Sequence, residues 1–433
     1  MNNDNLFNSQ FLPVGRKINQ TDIRVTSKQV TTTKDQLKGP VKMWPANRDE
    51  EPRYQEFLDN TTIERVKHEN SLGVNSYFVV GLTETDGYFG VTIDTKTPKT
   101  LKFRTEFTIA QRLPSEQDKM PIEDKAILTS IQGFFGWVGT VRVGKGDPKD
   151  PQQGPKIIYN VNTQWECQLV IRPFFEEFVL LGPKRRDFLL WCAVLDLLSK
   201  RSHQNARLKT EYITEILHYL YQMNSKGEMR KITYEECVRH VGLEVPVPKH
   251  LTYIDEQHSL WTDKIARNVV PNPNYVTGCY QGDGGCCVSL KKGKKSFELR
   301  ISLISTSIPW LELLQSYFND TYSNSKAVGS INDVTDKRIV PGKKPSTQIW
   351  RFSVWRVGAV LDILPHFAAY PLYGSKGKAF QTLRLVTDAM NKKQHLNGDV
   401  FEVLSEATKG MYRDDILRHV YQVDFDHDLD KYE

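Results

Sequence analysis

An α+β fold made of two copies of one unit is predicted by three observations: an internal repeat, a second matched pair of segments upstream of it, and a shared order of periodicities. In the repeat, F-F-E-E-F-V-L-L-G-P-K-R-R-D-F-L-L-W from Phe174 matches H-F-A-A-Y-P-L-Y-G-S-K-G-K-A-F-Q-T-L from His366. Phe175 and Phe367, Gly182 and Gly374, Lys184 and Lys376, Phe188 and Phe380, and His203 and His395 all stand 192 residues apart, with no gap. Upstream, Y-F-V-V-G-L-T-E-T-D-G-Y-F-G-V from Tyr77 matches Y-V-T-G-C-Y-Q-G-D-G-G-C-C-V from Tyr275, with Asp86 and Asp283 197 residues apart. A repeat of this length is one structural unit used twice. The copies span 72–224 and 272–415, joined by a charged, proline-bearing linker at 225–271. A polar extension, 1–71, precedes them, and an acidic tail, 416–433, follows.

Within each copy the predicted order is helix, strands, helix, strand, helices. In the first, period-two alternation predicts strands at 88–94 and 102–110. A helix at 121–135 follows, with Leu128, Ile131 and Phe135 on one face. Alternation then predicts strands at 139–143 and 164–171, and helices at 186–199 and 210–224 close the unit. The second copy repeats this with strands at 286–291 and 297–303, a helix at 310–318, a strand at 349–355, and helices at 378–390 and 400–411. In the extension, Tyr54, Phe57 and Leu58 can share one face of a short helix at 53–68.

Composition narrows the class without naming a function. The chain has 433 residues, enough for two or three domains, with 39% hydrophobic and 25% charged residues. No stretch approaches the roughly 20 apolar residues of a membrane span. Membrane, collagenous, disulfide-rich and wholly disordered classes are therefore excluded. The N-terminus lacks the basic and apolar run expected of a secretory signal. Six cysteines without a C-x-x-C pair, Cys286 and Cys287 being adjacent, fit neither a disulfide scaffold nor zinc spacing, and a reducing compartment is expected. The net charge of +6 permits a nucleic-acid partner without requiring one. No Ser-His-Asp signature, P-loop or dinucleotide fingerprint is present.

The upstream pair carries the chemistry. Gly81 and Thr85 in the first copy, and Gly278 and Gly282 in the second, place small residues four apart on one helix face. Two such faces can pack backbone to backbone. Each segment ends in Asp-Gly, at Asp86-Gly87 and Asp283-Gly284, with the glycine in the usual C-cap position. An aspartate there opposes the negative end of the helix dipole. Two such ends brought together set two carboxylates a few ångströms apart, a repulsion that a divalent cation relieves.

These segments, V-V-G-L-T-E-T-D-G-Y-F and V-T-G-C-Y-Q-G-D-G-G-C, resemble the two motifs of a single-chain member of the LAGLIDADG homing endonuclease family. The Phe-Phe-Gly ending at Gly136, the stretch around Tyr370-Pro371-Leu372 and the Lys-x-x-His ending at His395 are similar to the family as well. The resemblance covers about 72–415. It implies two αββαββα-type units around a pseudo-two-fold axis, packed through the two motif helices, with antiparallel β-saddles that straddle the major groove of double-stranded DNA. It implies that Asp86 and Asp283 are catalytic and bind Mg²⁺ or another divalent cation, which activates water for a sequence-specific double-strand break. It also implies a monomer with no membrane partner, and an organellar setting, mitochondrion or chloroplast, for an intron-type gene. The chain departs from the motif at Glu84 and Gln281 (position six), at Thr83, Thr277, Cys279 and Tyr280, and at Gly284-Gly285-Cys286-Cys287. Two readings therefore stand. One is an active DNA endonuclease; the other is an RNA-binding maturase, ribonucleoprotein component or non-cutting binder on the same fold.

Candidate nucleic-acid contacts fall on strands and turns. Lys102 and Arg104 share an alternating face with Glu106 and Thr108, as Arg300 does with Glu298 and Ser302. Arg142 and Lys145 stand where the family tends to carry a basic residue near the cut phosphates. Lys291, Lys292, Lys294 and Lys295 form a four-charge hairpin turn suited to phosphate contact. Arg338, Lys343 and Lys344 form a second basic run and Lys184, Arg185 and Arg186 a third. His203 and His395 read as helix-to-helix turns.

Overall fold

The computed structural model describes residues 72–112, 122–144, 155–200, 208–226, 230–243, 254–259, 261–262, 269–291, 294–323, 327–335, 348–409 and 411. The extension with its predicted helix at 53–68, the acidic tail, Lys145, Lys292, His203 and the run Arg338, Lys343 and Lys344 lie outside the described residues.

Both units follow the predicted order, with a strand at Ser330–Asp333 and a helix at Val357–Ala369 in the second that the sequence reading did not place. The first opens with α1 (Ser76–Asp86), whose N-cap Asn75 accepts a hydrogen bond from the Phe78 N–H at 3.1 Å. Strands β1 (Gly87–Asp94) and β2 (Lys102–Arg112), helix α2 (Ile122–Phe134), and strands β3 (Thr140–Gly144) and β4 (Lys156–Val161) follow. The unit closes with α3 (Arg172–Glu177), α4 (Lys184–Ser199), α5 (Thr210–Leu220) and the short α6 (Met223–Lys226). After α7 (Tyr234–Val241), the second unit opens with α8 (Pro273–Gly282), capped by Asn272 with Pro273 in its first turn. It continues through β5 (Gly285–Leu290), β6 (Phe297–Ser305), α9 (Ile308–Tyr322), β7 (Ser330–Asp333), β8 (Trp350–Val354), α10 (Val357–Ala369), α11 (Gly374–Asn391) and α12 (Gly398–Lys409).

Each unit holds one four-stranded antiparallel sheet, ordered β1-β2-β4-β3 and β5-β6-β8-β7. Their registers correspond. Phe107 faces Phe89 and Val161 in the first sheet, and Ile301 faces Cys286 and Val354 in the second. All six are core residues, so one face of each sheet is sealed against helices and the other carries the polar alternates. On the first sheet, the ring of Phe89 packs against Phe107, Phe175, Phe188 and Trp191. The repeat thus supplies the aromatic core as well as the outline.

Three sequence expectations are corrected. The alternation at 164–171 is helical: Gln164–Glu166 runs into a π-turn, Cys167–Ile171, and then into α3. Trp165, Cys167, Leu169, Val170, Ile171, Phe174 and Phe175 are all buried, too many for one stripe at 3.6 residues per turn. The wider turn, with the Arg172 N–H donating to the Cys167 carbonyl, rotates them all inward. The strand itself lies earlier, at β4. Secondly, the helix expected over 210–224 breaks after Leu220, and Asn224 takes a positive φ of 45°. Its N–H donates to Asp187 Oδ1 at 2.9 Å and its side chain to the Phe89 carbonyl at 2.8 Å. Thirdly, Gly87 is extended, at φ −79°, and not a left-handed C-cap. A Cβ on Gly87 would lie 2.4 Å from the Thr83 carbonyl oxygen, and one on Gly284 2.4 Å from that of Tyr280. Close approach requires these two glycines.

The segment between the units is built onto the first sheet. Helix α7 starts with a capping box between Thr233 and Glu236 and buries Cys237 and Val238. Arg230 Nη1 donates to the Val91 carbonyl at 2.9 Å, and His240 Nε2 lies 3.0 and 3.2 Å from the carbonyls of Thr97 and Thr100, in the β1–β2 turn. All six cysteines are free thiols. His395 is buried in the turn between α11 and α12, the structural place expected for it.

Candidate functional site

The two motif helices, α1 and α8, meet through their small residues. A Cβ on Gly81 would lie 2.0 Å from the Tyr275 carbonyl oxygen, one on Gly278 2.2 Å from that of Phe78, and one on Gly282 1.8 Å from Thr85 Oγ1. Main chain therefore touches main chain, as Gly81, Thr85, Gly278 and Gly282 predict. Val79, Val80, Leu82, Val276, Cys279 and Tyr280 fill the surrounding core. The eroded motif positions Thr83 and Thr277 are buried too, and Thr277 Oγ1 donates to the Tyr370 carbonyl at 3.1 Å.

The crossing brings Asp86, the last residue of α1, beside Asp283, the C-cap of α8. Gln111, at the end of β2, ties the two helix ends. Its Nε2 lies 3.4 Å from both Asp86 Oδ2 and the Gln281 carbonyl. Burial, and then the neighbouring Asp283 carboxylate, push the Asp86 carboxyl up to about 7. Burial also raises Asp283. The nearby ammonium groups of Lys376 and Lys184 oppose both rises.

Those two lysines start the repeat-matched helices α11 and α4 and close the site. Lys184 Nζ donates to the Thr85 carbonyl at 3.3 Å. Lys376 Nζ donates to the carbonyls of Tyr280 (3.3 Å), Gly284 (2.8 Å) and Gly282. Each is a cation at the negative end of a motif helix. Their 192-residue spacing marks them as equivalent in the sequence, but only the fold places them beside the aspartates. Gln111 had no signal of its own, because its contacts come from packing across the pseudo-axis.

Position six of each motif anchors the loop that carries the lysine. Glu84 is buried and accepts from the N–H groups of Gly182 and Lys184, each at 3.0 Å. Gln281 exchanges two hydrogen bonds with the backbone of Tyr373. Both residues hold loops, and Glu84 also borders the groove between the sheets.

That groove, about 730 Å³, is bounded by Thr85, Lys184 and Asp283 and by Tyr88 and Ile304 from the outward faces of β1 and β6. Lys102 and Arg104 lie exposed on the outward face of β2, Arg142 on β3 and Arg300 on β6. Lys291, Lys294 and Lys295 are exposed in the β5–β6 turn. The first face also holds an acidic member, Glu106, whose carboxyl is raised by burial. Of the third basic run only Lys184 borders the groove. The Arg185 guanidinium stacks on Trp261 at 4.2 Å, and Arg186 pairs with Asp255 at 2.7 Å, so both are spent holding the segment between the units.

Residues 79–195 match the family model described as LAGLIDADG endonuclease. Among solved structures, the LAGLIDADG homing endonuclease I-GzeII in complex with its DNA target aligns at 20% identity and a TM-score of 0.58, covering 79% of this chain and 100% of that one. This chain has the LAGLIDADG homing endonuclease fold. The meganuclease I-SmaMI bound to uncleaveable DNA aligns on the same fold at 20% identity and a TM-score of 0.58, over 78% of this chain and 98% of that one. I-LtrWI bound to target DNA aligns at 20% and 0.55, over 77% and 96%. No curated protein matches the sequence.

The donors at the LAGLIDADG helix ends suit a hard divalent cation. They are the half-buried Asp86 carboxylate and the more exposed Asp283 carboxylate, set side by side next to main-chain carbonyls. Among the described residues no three His, Cys, Asp or Glu side chains cluster as a metal cage. Mg²⁺ does not need one, since it is held by one or two carboxylates with waters and substrate phosphates completing the shell.

Proposed function

We propose that this protein is a sequence-specific DNA endonuclease that makes a double-strand break and depends on a divalent cation. The observation that carries the reading is the pair Asp86 and Asp283, set side by side at the touching ends of the two motif helices, next to a groove flanked by both polar sheet faces. Setting two like charges side by side destabilises a fold, and a binder without catalysis gains nothing from it. The names of the similar solved proteins, which are endonucleases bound to DNA, support the same reading.

Asp86 and Asp283 would hold the cation, which when bound supplies Lewis acidity and lowers the pKa of a water. The protein's own part is positional. The exposed Lys102, Arg104, Arg142, Arg300 and turn lysines neutralise phosphates and set the duplex over the groove. Gln111 orients the Asp86 carboxylate and any water beside it. Lys184 stands where charge develops on a phosphate oxygen as the water oxygen bonds to phosphorus and the ester oxygen leaves.

The test is selection of bound duplexes from a randomised pool, followed by incubation of the selected duplex with Mg²⁺. Cleavage of both strands by the wild type, with binding but no cleavage by Asp86→Asn and Asp283→Asn, supports the nuclease. Binding without cleavage by the wild type would sink it. Preference for structured RNA over any duplex would favour the maturase or ribonucleoprotein reading instead.

A further inference from the structure

We propose that residues 412–430 are the second unit's counterpart of the α7 segment: they return along α12 and lay their acidic run over the lysine turn between β5 and β6. The inference goes beyond the nuclease reading and does not depend on it.

A third matched pair carries it. E-E-C-V-R-H-V, from Glu235 in α7, matches D-D-I-L-R-H-V from Asp414, 179 residues on and without a gap. Two acids, two apolar residues and then Arg-His-Val recur in order. In the first unit these residues have tasks. Cys237 and Val238 are buried, and His240 Nε2 holds the β1–β2 turn at the carbonyls of Thr97 and Thr100. Their counterparts are Ile416, Leu417 and His419.

The second unit has the surface that such a segment needs. Helix α7 starts where α5 ends, with the Tyr234 ring edge-on to Tyr221 at 5.5 Å, and it ends at the β1–β2 turn. Helix α12 joins the same two places. Met411, just past its end, is buried. At its start, a Cβ on Gly398 would lie 3.8 Å from Lys295 Nζ in the β5–β6 turn, and the Phe401 ring packs on Phe297 at 5.2 Å. Helix α12 has 12 residues, a length of about 18 Å. Residues 412–423 are 12 as well, enough to retrace that length as helix. Ile93 and Leu290 stand at matched positions, opposite Phe103 and Phe297. Ile93 packs against the core, while Leu290 is 44% exposed.

Charge fixes what the end of the segment meets. Asp424, Asp426, Asp428 and Asp430 alternate, so an extended chain sets all four on one face. The turn they reach carries Lys291, Lys292, Lys294 and Lys295, and the three described are exposed. The first unit has neither partner: no acidic run follows α7, and the β1–β2 turn has only Lys96 and Lys99. The acidic run is therefore an internal competitor for the lysines that phosphates would contact, and a duplex must displace it.

Three measurements on the full chain test this, and none reads cleavage. Carbodiimide coupling, on a mixture of isotopically light and heavy protein, should join carboxylates of 424–430 to the lysines of 291–295 within one chain. Links only between chains, or only to lysines elsewhere, would overturn the placing. Ile416→Asp with Leu417→Asp should raise amide exchange in the β5–β6 turn about tenfold or more and leave the β1–β2 turn unchanged. An unmoved β5–β6 turn would also overturn it. Replacing the four aspartates by Asn should tighten binding of a mixed-sequence duplex about tenfold at low salt, and should have no effect once the four turn lysines are Gln. Equal tightening in both backgrounds would show a general effect of charge and remove the competitor. A chain that passes all three and cuts no duplex would lose the nuclease reading and keep this one.

Discussion

Gln281 and Tyr373 exchange two hydrogen bonds: the Tyr373 N–H donates to Gln281 Oε1 at 2.8 Å, and Gln281 Nε2 donates to the Tyr373 carbonyl at 3.3 Å. The equivalent residue, Glu84, faces two donors, the N–H groups of Gly182 and Lys184. An amide matches a donor and an acceptor, and a carboxylate matches two donors. The difference between the motifs at position six is thus set by the loop each must hold. Both Gln281→Glu and Glu84→Gln should destabilise by about 1–3 kcal/mol, although each swap is nearly isosteric, because each sets like against like in a buried site. Thermal unfolding checks this. An unchanged Tm in either variant would show that the loop re-pairs elsewhere.

The helix crossing should tolerate no added carbon. Gly278→Ala places a Cβ 2.2 Å from the Phe78 carbonyl oxygen, against backbone that cannot move without separating the units. A destabilisation of about 3 kcal/mol, at the upper end for overpacking, is expected in chemical denaturation. Gly358→Ala is the control. It lies in α10 with nothing within 4 Å of its added Cβ, and it should be neutral or stabilising by up to about 1 kcal/mol.

Without divalent cation, Asp86 makes stability depend on pH. Its folded pKa, about 7, exceeds the ordinary carboxylate value, so between about pH 4 and 7 the folded state binds the extra proton. Stability from this group is full below pH 4 and falls as pH rises to 7, by an upper bound on the order of 4 kcal/mol. Asp86→Asn should therefore be more stable than wild type at pH 8 in EDTA, by several °C in Tm, and the gap should close near pH 4. Mg²⁺ should raise the wild-type Tm and leave the variant nearly unmoved. A gap independent of pH would rule out the carboxylate as its source.

The sheet faces should reveal themselves through salt. Replacing Lys102, Arg104 or Arg300 by Ala should weaken duplex binding and lower the slope of log K against log salt by about 0.9 for each phosphate no longer neutralised. Lys125, on α2 away from these faces, is the comparison. A slope unchanged by all three substitutions would move the duplex off the outward faces.

Much of this architecture could be read in the sequence because symmetry wrote it twice. The spacing of Gly81, Thr85, Gly278 and Gly282 described a close helix crossing before any fold was known, since only one packing uses such a stripe. Asp86 and Asp283 stood out by being wrong for a helix end. The failures share a cause. The alternation over 164–171 imitated a strand because every residue that a widened helical turn buries there is apolar, and period alone does not distinguish the two. Gln111 and the placing of Lys184 and Lys376 at the motif-helix ends were illegible because their meaning comes from partners that close only in space. Arg185 and Arg186 looked like surface charge until the segment between the units supplied Trp261 and Asp255.

The close approach at Gly81 and Gly278 has a consequence for what can vary in such a protein. The two aspartates are spaced by main chain meeting main chain, with no side chain between to be lengthened or trimmed. For the proposed nuclease, the stagger between the two cuts is therefore fixed by the backbone, while the choice of site is made by substitutable side chains on the sheets. Address and ruler are written in separate parts of the chain, so the first can be revised indefinitely while the second stays the same length.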